Sequence, residues 1–140
     1  MWQKTWIVAF TAWSLVNLAQ AENWPAWRGA KGDGISQETN LPEVFSHERN
    51  VTWKTPLPGP GNSTPIVWEE HVFLTCATEN GKVRSLFCLD RNTGRVRWRY
   101  SAAYPDQESA HSDNPYCSGS PTTDGTLVYA SFDSAGVVAC

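Results

Sequence analysis

Acidic and imidazole side chains cluster in residues 106–113, which contain Asp106, Glu108, His111 and Asp113. Carboxylate oxygens and imidazole nitrogens bind divalent cations, so this group could form a metal or ligand site. Its spacing matches no known metal-ligand pattern, and a solvated polar loop is the more ordinary interpretation. The segment is therefore a candidate loop, and the sequence assigns no metal ligand and no catalytic residue.

The four cysteines raise the question of disulfides, which form in oxidising compartments. Counting outward from a hairpin turn predicted at Asn80-Gly81 pairs Cys76 with about Ser85 and Cys88 with about Phe73. Cys76 and Cys88 are therefore not cross-strand neighbours, and we expect buried free thiols. Cys117 lies just before a second set of apolar runs, at residues 118–140, and is the candidate for a disulfide with a residue outside this chain.

Composition limits both the fold and the partners of this chain of 140 residues. The formal net charge of -3 and the absence of a basic cluster exclude nucleic acid as the expected partner, since phosphate binding needs a basic surface. Eight Trp, nine Pro and ten Gly disfavour a helical bundle, because helix breakers are spread throughout. The balance favours a single β domain.

The N-terminal segment has the features of a secretory signal peptide. Lys4 precedes an uncharged apolar run over residues 6–18, and residues 19–21 form the small-residue triplet Ala-Gln-Ala. The run is shorter than the roughly 20 residues that a membrane-spanning helix needs. We expect residues 1–21 to be removed on export to the periplasm or the cell exterior, with no transmembrane span afterwards.

Four short apolar runs separated by turn residues predict antiparallel strands. The Asn80-Gly81 dipeptide between the second and third runs favours the positive φ values of a hairpin turn. In the fourth run Val96 and Trp98 alternate with arginines, which predicts one buried and one solvated face. The predicted strands cover residues 64–68, 71–77, 83–90 and 95–100.

The same order of runs begins again downstream. Residues 63–65 match residues 119–121 at an offset of 56, and residues 86–88 match residues 138–140 at an offset of 52. Repeats of about 40 to 55 residues with four strands each predict an all-β fold, a β-propeller of four-stranded antiparallel blades. The predicted organisation is a signal peptide at 1–21, a leader at 22–49 and a propeller at 50–140, with a lone strand at 51–54, a complete blade at 63–101 and a partial blade at 118–140.

Residues 88–98 carry the most specific local pattern of the chain. Gly94 permits a tight turn, and Asp90 and Thr93 can form hydrogen bonds with the backbone around it. Trp98 is large and flat enough to dock between adjacent sheets. This arrangement resembles the blade motif of the pyrroloquinoline-quinone-like (PQQ-like) β-propellers of the secreted bacterial type. The likeness extends over residues 22–140 and implies about eight blades in a complete protein.

The resemblance leaves two classes of function open. One is an exported, non-catalytic scaffold that binds a protein or a small ligand with its loops, as in the BamB-like propeller of the outer-membrane barrel-assembly machinery. The alternative is a periplasmic quinoprotein alcohol dehydrogenase, which holds PQQ and calcium at the ring centre. The chain lacks the adjacent Cys-Cys pair of many quinone enzymes, and no position matches a calcium ligand or a catalytic base. The scaffold is favoured, and no cofactor is evident.

The two ends of the chain lead to further expectations. Residues 131–140 predict a hairpin whose second arm stops in mid-run, so we expect the chain to be the N-terminal piece of a longer protein. In the leader, Trp24 and Trp27 could stack on sugar rings if exposed, which would fit a carbohydrate-processing accessory. Burial against the propeller is the simpler use of these two indoles.

Overall fold

A computed structural model describes residues 21–106, 108–114 and 116–140. The predicted signal peptide, apart from Ala21, lies outside the described residues. The described residues form two antiparallel sheets and two short 3-10 turns, Glu79–Gly81 and Asp133–Ala135, so the all-β prediction is confirmed. The first sheet contains, in order, β1 (Ile66–Trp68), β2 (His71–Thr78), β3 (Val83–Asp90) and β4 (Val96–Ala103), and the second contains β5 (Thr122–Thr123), β6 (Val128–Ser131) and β7 (Val137–Ala139).

A tight turn sets the register of the central hairpin, β2 with β3. Its residues include Asn80 and Gly81 at φ 53° and 85°, as the dipeptide predicts. Within the hairpin Phe73 lies opposite Cys88. Cys76 and Ser85 form another pair in the predicted register.

Strand β1 begins later than predicted because the residues before it use their backbone differently. Pro65 has no N–H to offer to a ladder. The Thr64 N–H donates to Ser120 Oγ at 2.9 Å, which joins the start of the first sheet to the start of the second. Further upstream, Pro60 O accepts the Ala77 N–H at 2.8 Å. The Pro- and Gly-rich segment thus covers the part of the β2 edge that β1 does not reach.

The central hairpin of the first sheet, β2 with β3, is buried on both faces. One face packs on the second sheet, where Phe73 and Leu86 of the first sheet meet Val128 and Phe132 in a shared core. The other face forms a separate apolar cluster, against which Trp53 packs. Mutual burial of two sheets agrees with the blade-on-blade packing that the repeat predicts. The second cluster consists of Val72, Leu74, Cys76, Phe87 and Leu89.

Strand β4 does not have the dry face that its alternation predicts. Val96 is 49% exposed and Trp98 37% exposed, and the arginines on the opposite face are exposed as well. The reason is its position, because β4 is an edge strand that pairs with β3 alone. The alternation also breaks within the strand, because the register shifts between Cys88 and Leu89 of β3, which puts Val96 and Trp98 opposite residues of different faces.

Residues 51–54, predicted as a lone strand, join no ladder in the part of the chain that the structure describes. A strand needs a partner backbone, and the side chains of this segment hold it in place instead. Trp53 donates its Nε1 proton to Arg91 O at 2.7 Å.

No helix in the described residues is long and apolar enough to cross a membrane.

Candidate functional site

The four residues of the blade motif begin with Asp90, whose carboxylate organises the turn between β3 and β4. Its Oδ1 accepts hydrogen bonds from the N–H groups of Asn92 and Thr93 at 3.0 and 2.9 Å. The Thr93 hydroxyl donates to the same oxygen at 2.9 Å. Its Oδ2 accepts from Arg97 Nη2 at 2.5 Å and Nε at 3.1 Å. Both oxygens are used within the turn.

This bonding determines the charge of Asp90. The Arg97 guanidinium, together with the hydroxyl and N–H of Thr93, lowers the Asp90 pKa from 3.8 to about 2. A carboxylate with so low a pKa is a weak base and stays ionised at neutral pH. The geometry therefore gives Asp90 a structural part in the turn and does not equip it to accept a proton from a substrate.

Gly94 is the point where the upstream segment docks on the turn. It has φ +69°, and its N–H donates to Asp90 O at 2.8 Å. The Trp53 ring lies so close that a Cβ on Gly94 would be 2.4 Å from it. The Thr55 hydroxyl donates to Gly94 O at 2.6 Å. Glycine is therefore needed here for two reasons: the positive φ, and the lack of room for a Cβ beside the Trp53 ring. Only the first reason was expected from the sequence.

Trp98 lies at the seam between the two sheets without filling it. Its ring centroid is 5.9 Å from that of Phe73, at an interplanar angle of 47°. Beside it, His71 stacks on Phe73 at 5.8 Å, and its Nε2 lies 3.1 Å from Arg97 Nη1. A cleft of about 430 Å³ remains between the sheets. Its wall also includes Trp68, Leu127, Val128 and Cys140.

The polar loop at 106–113 does not assemble into a ligand set. Glu108 turns away from the loop and pairs with Arg84 of β3. His111 Nδ1 lies 3.8 Å from Asp113 Oδ2, and both side chains are largely exposed. No group of three or more His, Cys, Asp or Glu side chains comes together among the described residues. Among the described residues the loop therefore brings no metal-ligand set together, because the Glu108 carboxylate pairs with Arg84 instead of with its neighbours in the loop.

Arg84 is the central polar residue that sequence reasoning missed. Its side chain is fully buried between the first sheet and the start of the second. Its Nε donates to Gly81 O at 3.0 Å, its Nη1 donates to Phe132 O, and its Nη2 donates to a carboxylate oxygen of Glu108. The guanidinium lowers the pKa of Glu108. One side chain thus ties β3, the second sheet and the polar loop together.

Two tyrosine rings complete the surroundings of Arg84. The guanidinium carbon lies 4.9 Å from the ring centroid of Tyr104 and 5.0 Å from that of Tyr116. Such contacts stabilise a desolvated cation. The available sequence signal was a single Arg inside the apolar strand β3, since a charge in that position needs a partner. The identity of the partner was not evident.

The cysteines are free thiols, and three of the four are buried. Burial raises the pKa values of Cys88 and Cys117 to about 11, so both are protonated at neutral pH. Cys117 is fully buried in the core between the sheets. That position disagrees with its predicted role in a disulfide to a residue outside the chain, because a partner could not reach the sulfur.

The leader joins the first strands of both sheets. Trp24 and Val67 exchange two backbone hydrogen bonds, at 2.7 and 2.9 Å, along the free edge of β1. The next residue, Pro25, accepts the Thr123 N–H of β5 at 2.9 Å. We call this side of the sheets, formed by residues 24–25, β1 and β5, the inner edge. The chain's own leader occupies it.

The two leader tryptophans differ in exposure. Trp24 is half-buried, and its ring packs against Gly29. Trp27 is 60% exposed, and the Arg28 guanidinium carbon lies 4.5 Å from its ring centroid. The Trp24 ring is therefore partly covered by the leader's own turn, whereas Trp27 stays at the surface.

The quinone and calcium implied by the sequence resemblance can be tested against the donor groups of the described residues. Calcium takes six to eight oxygen ligands, largely from carboxylates. The carboxylates of Asp90 and Glu108 are each bound to an arginine. No cluster of three potential ligands was found among the described side chains. These two carboxylates are therefore not available as calcium ligands.

Comparison with protein families gives a match over most of the chain. The model of the family described as outer membrane protein assembly factor BamB matches residues 14–140. No curated protein and no solved structure matches the chain. The family match covers nearly the whole sequence, including the leader, both sheets and the Asp90 turn.

Proposed function

Because the chain belongs to the PQQ-repeat family described as outer membrane protein assembly factor BamB, we propose that it is an exported, non-catalytic β-propeller scaffold that binds protein partners. The match over residues 14–140 is the observation that carries the proposal. The family's description points to a role in outer-membrane protein assembly. In this role the sheets give rigidity, and the connecting loops and exposed edges make the contacts.

Two features of the described residues support a scaffold over an enzyme. The carboxylates of Asp90 and Glu108 are both held by arginines in structural contacts, and neither is free to act as a base. The inner edge is occupied by Trp24 and Pro25 through backbone hydrogen bonds. In the competing dehydrogenase, cofactor and metal would need the centre of the ring and free oxygen ligands.

Export and catalysis can be tested in one preparation. The full chain is expressed in a Gram-negative host, and the cells are separated into cytoplasmic and periplasmic fractions. The periplasmic protein is then incubated with PQQ and calcium, and dye-linked alcohol oxidation is measured. A known quinoprotein alcohol dehydrogenase serves as the positive control. We expect the protein in the periplasm and no oxidation above that of free PQQ.

A binding measurement complements the oxidation assay. An unfolded outer-membrane β-barrel protein in dilute urea is titrated against the chain, with an unfolded soluble protein as the control. We expect saturable binding of the barrel protein alone. Saturable PQQ-dependent oxidation would overturn the proposal, as would retention of the chain in the cytoplasm.

A further inference from the structure

We propose that Arg84 forms a carboxylate-binding site that the chain's own Glu108 occupies, so that a competing carboxylate can release the polar loop. We call residues 108–114 of this loop the strap. The inference is independent of the proposed function, because it rests on the contacts of Arg84 alone.

The site is built by residues outside the strap. A guanidinium stays charged in proteins, and its complete burial requires an anion or several acceptors. The carbonyls of Gly81 and Phe132 orient the Arg84 group from two directions. The ring centroids of Tyr104 and Tyr116 lie 4.9 and 5.0 Å from the guanidinium carbon. These contacts do not involve the Glu108 side chain. Without that side chain, Nη2 of Arg84 would lack its carboxylate partner.

Glu108 is reachable from solvent, unlike Arg84. Its side chain is 28% exposed, and its second oxygen accepts a hydrogen bond from Ser134 Oγ at 2.6 Å. A polar cavity of about 540 Å³ adjoins it, lined by strap residues together with Gly119 and Asp133. A small carboxylate can approach Arg84 through this cavity if Glu108 moves aside.

The Glu108 side chain also ties the strap to both sheets. It reaches Arg84 in β3 and Ser134 beside the second sheet. Two contacts are independent of that carboxylate: Asn62 Nδ2 donates to a strap carbonyl at 3.3 Å, and the Tyr116 hydroxyl donates to the backbone oxygen of Glu108. Exchange of the Glu108 carboxylate for a free one would therefore loosen residues 109–114 and leave the two sheets in place.

Chemical rescue tests the site directly. In the full chain, Glu108→Ala removes the carboxylate, and we expect a lower Tm than in the wild type. Sodium acetate, compared with sodium chloride at equal ionic strength, is expected to raise the Tm of the variant saturably by about 3–5 °C. Asp113→Ala is the matched control, because it removes an exposed strap carboxylate that does not contact Arg84.

Asp133 is the other carboxylate near the site, with Oδ2 4.0 Å from Arg84 Nη1. The double variant E108A/D133N therefore shows whether Asp133 replaces Glu108, and its acetate response should be at least that of E108A. If E108A does not fold, Glu108→Gln takes its place. Equal effects of acetate and chloride on the Glu108 variants would overturn the proposal, as would an equal acetate effect on D113A.

Hydrogen exchange of the wild-type chain supplies an independent readout. An intramolecular carboxylate competes at an effective concentration of roughly millimolar or higher. Acetate at several hundred millimolar is therefore expected to speed amide exchange in residues 109–114 several-fold over chloride, with β2 and β3 unchanged. Strap exchange that does not respond to acetate would contradict release by competition.

Discussion

At the scale of single residues, the charged groups of this chain serve the fold. Asp90 holds a turn with both carboxylate oxygens, and Arg84 joins three segments through one buried guanidinium. Each charge is matched by an opposite one, which is what burial or close approach requires. The pKa values of Asp90 and Glu108 are lowered for this reason.

Asp90→Asn should destabilise the chain in a pH-dependent way. The Asp90 pKa is about 2 in the folded protein against an ordinary value of 3.8, so the ionised form favours folding above pH 4. We expect a lower Tm for the variant at pH 7. The difference from the wild type should shrink as the pH falls from about 4 to 2, where the wild-type carboxylate becomes protonated in both states.

The measurement is thermal unfolding followed by circular dichroism across that pH range. Asp106→Asn is a suitable control, because Asp106 is exposed. A Tm difference that stays constant down to pH 2 would contradict the assignment of the low pKa to Asp90.

At the scale of elements, the turn between β3 and β4 also serves as a docking site. Trp53 and Thr55 both bind to it, although they lie about 40 residues upstream of Gly94. The turn therefore organises its own hairpin and the segment that the sequence predicted as a lone strand. Trp53 also packs on the face of the first sheet that does not contact the second sheet.

Gly94→Ala and Gly32→Ala separate the cost of the positive φ from the cost of crowding against the docked segment. Both glycines have φ near +70°, but only Gly94 faces a neighbour, the Trp53 ring. The positive φ should cost about 1–2 kcal/mol in each variant. Crowding against Trp53 should add roughly 1–3 kcal/mol in G94A alone.

Urea unfolding followed by tryptophan fluorescence gives both free energies of unfolding. Equal losses in the two variants would show that Trp53 does not press on the turn.

At the scale of the whole molecule, the two sheets are held together by a shared core and by the leader. Phe73 and Leu86 pack with Phe132 across the seam, and Thr75 Oγ1 donates to Cys117 O at 3.0 Å. Along the inner edge, Trp24 and Pro25 bind one sheet each. The leader thus belongs to the propeller structurally.

Trp24→Ala should loosen both sheets at the inner edge, whereas Trp27→Ala should not. Trp24 is half-buried and packs on Gly29, and Trp27 is largely exposed. Loss of the Trp24 ring should free the leader backbone and speed exchange of the Val67 and Thr123 amides, which both bond to it.

Hydrogen exchange measured by NMR resolves these two amides. Faster exchange at only one of them would argue against a leader that bridges the sheets, and so would an equal effect of Trp27→Ala.

The sequence by itself determined the all-β class, the central hairpin and its register. These features depend on residues close together in the chain. Asn80 and Gly81 dictate a turn, and counting outward from it predicts approximately which residues of β2 and β3 lie opposite each other, as the observed register confirms for Cys76 and Cys88. The repeat likewise predicted a second sheet with the same order of strands. Its resemblance to PQQ-like propellers agrees with the family match.

Only the tertiary structure decided which distant residues meet. Arg84 pairs with Glu108, and Gly94 contacts Trp53. The leader bonds to β1 and β5. The cost of closing a loop rises slowly with its length, so many partners compete on nearly equal terms and local spacing does not select among them. The buried surroundings of each group make the selection, because a charge or a ring there is stable only beside its complement.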